Sequence, residues 1–153
     1  MKKTLFLLLM LFATSCFAQE KCDTTAFRVV VNSMSPRRFP MRMLSSGYEL
    51  EVRNDSAIVH LPYMGEVHMP AFNDDGLNFS EPIKEMKVKT NRKGTARIIT
   101  FKVSHSMISY HFIVTAFDGG SGDIDVEPSN GDSCSYYGDW ENTQNQANKT
   151  DTE

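Results

Sequence analysis

The 153-residue chain has four histidines, His60, His68, His105 and His111, and none stands two, three or four positions from another. Zinc sites and general acid–base pairs draw on closely placed imidazoles or on an imidazole beside a carboxylate, and no such pattern is written here. His60 and His111 fall on the polar side of the alternating stretches that contain them, the ordinary place for a solvated histidine. Met64, His68 and Met69 stand close together and suggest a soft copper(I) site. Methionine more often fills irregular core gaps or an adaptable apolar surface. Asp74-Asp75 and the acids between Asp118 and Asp123 lack the alternation and closing glutamate of a calcium loop, and turn chemistry accounts for both. No serine sits in a Gly-x-Ser-x-Gly elbow, and there is no phosphate loop or dinucleotide fingerprint. Glu49 and Glu51 share the polar face of one strand, the ordinary place for solvated carboxylates. No metal, no cofactor and no catalytic residue is expected.

The elements that would carry a site begin after a removable leader. Met1, Lys2 and Lys3 give a cationic start, and residues 5–13 are a continuous apolar run. The run is shorter than the ~20 residues a membrane span needs. With the small residues that follow, it reads as a secretory signal occupying residues 1–18, cut after Ala18. In the rival reading Cys16, preceded by Thr14 and Ser15, is acylated and tethers the protein to a membrane. The expected location is periplasmic or secreted, or the outer membrane as a lipoprotein if Cys16 carries lipid. No later stretch reaches membrane-spanning length. Removing the leader takes two lysines from a chain of sixteen cations and nineteen acids. The resulting negative balance argues against nucleic acid, which needs a basic face.

Cys22 and Cys134 remain after the cut, near opposite ends of the domain. Outside the cytoplasm two cysteines can pair, and a bridge between these two would close a large loop; two free thiols are the alternative.

Helical periodicity is absent after the leader, whereas alternation recurs. Tyr48, Leu50 and Val52 share one face, Met86 and Val88 another, then Ile99, Phe101 and Val103, then Tyr110, Phe112, Val114 and Ala116, then Ile124 and Val126. A period of two with one wet face marks antiparallel strands. Asn54-Asp55, residues 91–94, 118–122 and 129–132 supply the Asn, Asp and Gly of tight hairpins. The expected fold is all-β, an antiparallel meander closing as a small barrel or folding as a two-sheet sandwich, with a lipocalin-like barrel as the first guess. Residues 19–26 form an N-terminal segment, 27–138 the single β domain and 139–153 a disordered polar tail. Residues 35–46 and 62–82, each with two or more prolines, read as long irregular loops, where a β scaffold would build a site.

Several segments resemble one family of exported bacterial proteins, the domain-of-unknown-function 4251 family. Leu61-Pro62-Tyr63-Met64-Gly65 matches its Leu-Pro-Tyr-aromatic-Gly segment with Met64 in the aromatic place. Residues 46–52 with Asp55-Ser56, Gly76-Leu77-Asn78-Phe79, residues 123–128 and Ser135-Tyr136-Tyr137-Gly138 resemble further segments, so the resemblance covers about residues 27–140. The N-terminus departs from it, where many members have a longer, helix-like lead. The resemblance implies export and a small β domain, and no catalytic residues.

The expected function is a non-catalytic binding module of the cell envelope for a small apolar ligand or peptide, with Tyr63, Met64, Phe72 and Phe79 lining the mouth of a barrel. An envelope interaction or assembly protein is the alternative, with a patch around Met41, Met43, Met64 and Met69. A hydrolase-like enzyme ranks last. An aromatic-walled cavity favours the first, a filled barrel with an exposed apolar patch the second, and a buried acid–base pair the third.

Overall fold

The computed structural model describes residues 26–66 and 76–143. Its eight strands are β1 (Phe27–Pro36), β2 (Arg42–Arg53), β3 (Ser56–Leu61), β4 (Leu77–Thr90), β5 (Ala96–His105), β6 (Ile108–Phe117), β7 (Ser121–Pro128) and β8 (Cys134–Glu141). Each pairs antiparallel with the next, and β8 closes on β1. The meander is therefore a closed barrel and not a sandwich. Closure satisfies the edges that an open sheet leaves unpaired.

The alternation supplies the interior. Val29, Val31, Leu50, Val52, Ile99, Phe101, Val103, Phe112, Val114, Ile124 and Val126 are all buried and belong to one apolar cluster. Phe101 and Phe112 are direct cross-strand partners and their rings stack with centroids 5.0 Å apart. An eight-stranded barrel is about wide enough for its side chains to fill or to hold one small ligand. Here Tyr110, Tyr136, Phe27, Phe101, Phe112 and Met34 are among the largest side chains fully buried.

Four expected features are corrected. Residues 35–46 are mostly strand: Ser33 pairs with Met43 and Met34 with Arg42, leaving 37–41 as the connection. Pro36 ends β1 and Pro40 lies outside any strand, positions where a missing N–H costs no ladder bond. The irregular stretch expected through Pro82 already ends at Leu77, because 77–79 and 84–90 are parts of one strand. Pro82 is tolerated at the last pair that β4 makes with β3. The turn expected at 118–122 is tighter, and β7 starts at Ser121. Residues 139–141, assigned to the tail, continue β8. Trp140 holds them there, stacked on Phe27 with centroids 4.5 Å apart.

Alternating strand direction sorts the connections to two ends. The hairpin end has 54–55, 91–95 and 118–120. The loop end has 37–41, 62–76, 106–107 and 129–133. At the hairpin end Asn54 and Asp55 both adopt positive φ, as a two-residue hairpin requires.

Candidate functional site

The loop end gathers the residues that sequence nominated. Tyr63 and Met64 follow β3 directly, and Phe79 is the third residue of β4. Phe72 lies outside the described residues, as do His68, Met69, Asp74 and Asp75. Phe79 is 8% exposed, stacks on His105 at 4.8 Å and tilts against Tyr110 at 5.3 Å. Tyr63 and Met64 are half-buried against the core. The structure thus brings three nominated residues to one end, with their side chains engaged in packing.

After Leu61 the chain crosses the mouth. Residues 62–66 run from β3 to the turn between β7 and β8, on the far side of the ring. The hydroxyl of Tyr63 donates to the carbonyl of Asp132 at 2.6 Å. The hydroxyl of Tyr136 donates to the carbonyl of Pro62 at 2.7 Å. Glu66 N–H donates to Asp132 Oδ2 at 3.2 Å, and Asp132 N–H donates to Glu66 O at 3.3 Å. Arg38 adds ion pairs to Glu66 at 2.8 Å and to Asp132 at 3.2 Å from the neighbouring connection. Glycine at 131 leaves room for the Tyr63 hydroxyl, which a Cβ there would approach to 2.8 Å. Segment 62–66 is a strap pinned at both ends.

Electrostatics follow burial beneath the strap. Desolvation, with the Asp132 charge nearby, pushes Tyr63 up to about 12. Burial likewise raises Tyr110, Tyr136 and the Cys134 thiol. These groups stay neutral at physiological pH, as hydrogen-bonding core members do.

A histidine that the sequence left unplaced lies on the inward face. His105 continues the inward row of Ile99, Phe101 and Val103, a parity visible in the sequence. Its Nδ1 lies 2.8 Å from Glu81 Oε1. The pair can orient an imidazole, yet the two side chains are 37% and 33% exposed. No hydroxyl or thiol bonds to His105 among the described residues. The pair is part-buried, and the His105 ring packs on Phe79. Among the described residues, no three His, Cys, Asp or Glu side chains gather where a metal could sit.

Beside the strap, the β1–β2 connection exposes several apolar side chains. Phe39, Met41 and Met43 are 47%, 58% and 79% exposed within five residues of chain, and Met107 projects across the ring. Arg37 and Arg42 stand among them without an ion pair among the described residues. Of the patch expected from sequence, Met41 and Met43 are exposed while Met64 packs inward.

Of the Cys22–Cys134 pair expected from the sequence, only Cys134 lies among the described residues. Cys134 is buried at the loop end, paired with Pro36. Phe27 stands at the hairpin end, nine steps of about 3.3 Å or about 30 Å along β1. Cys22 lies outside the described residues. Residues 1–25, including the leader and Cys16, and 144–153 lie outside the described residues. No helix among the described residues is long and apolar enough to cross a membrane.

A model of the family described as Domain of unknown function (DUF4251) matches residues 16–140. The crystal structure of a DUF4251 family protein from Bacteroides eggerthii DSM 20697 is similar, with a TM-score of 0.62 and 18% identity, over 82% of this chain and 84% of that one. At that identity the similarity is one of fold. No curated protein matches.

Proposed function

This chain belongs to the family described as domain of unknown function (DUF4251), and we propose that it is an exported, non-enzymatic module that binds a protein partner through the outside of its loop end. The supporting observation is a contrast at that end. The mouth is crossed by a pinned strap over a packed interior, while Phe39, Met41 and Met43 stand in water beside it. Exposed apolar side chains rimmed by arginines are what a partner surface buries. A carrier of a small apolar ligand would need the room that Phe79, Tyr110 and Tyr136 fill. The charged leader of residues 1–3 and the apolar run of 5–13 support export.

The test is a native mass of the protein purified from its own cell envelope, followed by cross-linking in the intact envelope. The expected mass is that of residues 19–153 with nothing retained. The expected cross-linked species is lost when Met41 and Met43 are both replaced by glutamate. A mass raised by a small molecule overturns this reading in favour of a carrier.

A further inference from the structure

Charge is unevenly spread over the barrel wall. Residues 84–102 carry seven cations and one acid, Glu85, in a chain of sixteen cations and nineteen acids. The rest of the chain therefore holds nine cations against eighteen acids. This positive stretch is the β4–β5 hairpin, in which Lys84 faces Lys102, Lys87 faces Thr100 and Lys89 faces Ile98. These residues occupy the outer row, because they alternate with the inward Ile99, Phe101 and Val103. Two lysines directly opposite one another repel. A bulge between Lys84 and Lys87 relieves this by turning Glu85, at φ 55°, to within 2.7 Å of Lys102. Lys87, Lys89, Arg92 and Lys93 have no ion pair among the described residues.

The same hairpin has an open edge. β3 covers β4 only from Leu77 to Pro82, and the last bond across runs from Ile83 N–H to Asp55 O at 2.8 Å. Over residues 84–90 β4 has no second neighbouring strand among the described residues. Alternate backbone N–H and C=O groups there point away from β5. Val88, on the inward row beside Ile99, is 44% exposed, and Met86 is half-buried against the core.

Unpaired strand backbone is a template for another strand. Lipid cannot satisfy such groups, so a membrane fits this edge poorly even though its charge would suit. Lysines on an edge repel cationic strands and a second copy of the same edge. They favour a strand with carboxylates on its outer row and apolar side chains on its inner row, over Met86 and Val88. We propose that residues 84–90 form a docking edge for an extended acidic segment of a partner protein, in which carboxylates alternate with apolar residues. The site is at the opposite end from the apolar loop-end surface and stands independently of it.

The test uses the full mature chain and a capped, labelled peptide of alternating Glu and Val, followed by fluorescence anisotropy. The comparators are a Lys–Val peptide, a peptide of the same composition with its Glu and Val in two blocks, and phosphatidylglycerol vesicles. The alternating acidic peptide is expected to bind, to weaken with added salt, and to protect the amides of 84–90 from exchange. Lys87→Glu with Lys89→Glu is expected to weaken it by about tenfold or more, since like charges then face each other. Equal binding of the block or Lys–Val peptide overturns the proposal. So does protection elsewhere on the barrel, or binding of vesicles alone.

Discussion

The hydroxyl of Tyr63 donates to the main-chain carbonyl of Asp132 at 2.6 Å and so joins two sides of the barrel ring across its mouth. The bond is partly buried, and its acceptor belongs to a turn that also receives Glu66 and Arg38. Replacing Tyr63 by Phe keeps the ring and leaves the carbonyl unpaired. The expected cost is about 1 kcal/mol, or a fall in Tm of about 5 °C in thermal unfolding. Tyr63→Ala, which also empties the space under the strap, should cost about 3 kcal/mol. If both variants melt with the unaltered protein, the strap is not pinned by this residue.

The same tyrosine gives a pH prediction. Its folded-state value of about 12 lies above the ordinary 10, chiefly through burial, and burial also raises Tyr110 and Tyr136. A raised value means the folded state holds its proton longer than the unfolded state. The contribution is therefore complete below pH 10 and is lost as pH rises toward 12. Stability from denaturant titrations should fall steeply between pH 10 and 12. The fall should be shallower in Tyr63→Phe, which has one such group fewer. An identical slope in the two proteins would remove Tyr63 from the linkage.

Much of the barrel is legible in the sequence because one-sided burial writes a period of two. The hairpin of β2 and β3 follows from Asn54-Asp55, and β6 from Tyr110, Phe112, Val114 and Ala116. Other parts are hidden for physical reasons. β1, with Val29, Val30 and Val31 in a row, does not alternate. β4 passes through Pro82 because its ladder with β3 ends there. Trp140 sits among polar residues, and only its contact with Phe27 shows it to be structural. The strap depends on hydrogen bonds between residues about seventy positions apart, which no local pattern encodes. Net charge averages a basic hairpin with an acidic remainder, so the chain's overall sign conceals its charged face.

Gly138 tests the closure of the barrel. β1 bulges at Asn32, between its pairings with Gly138 and Tyr137, and its backbone crowds β8 there. A Cβ at position 138 would overlap the carbonyl oxygen of Val30 and come 2.9 Å from Val31 Cα. Both are backbone atoms that cannot swing aside. Gly138→Ala should cost about 3 kcal/mol or more, or give no soluble protein. Gly119→Ala, where a Cβ meets nothing within 4 Å, is the control and should stay within about 0.5 kcal/mol. Equal melting of the two variants would contradict the closure between β1 and β8.

The proposed export and the burial of Cys134 together give a thiol prediction. An oxidising compartment favours pairing of the two cysteines left after cleavage. Cys134 stands in register with Pro36, at the end of β1 away from Phe27, and packs in the core. Cys134 is 1% exposed, and burial raises its thiol, so little reactive thiolate forms. Under native conditions iodoacetamide should spare Cys134. In denaturant both should react without prior reduction, and the unreduced monomer should carry its full complement of hydrogens. A monomer two hydrogens light, with Cys22 and Cys134 in one cross-linked peptide, would overturn this prediction.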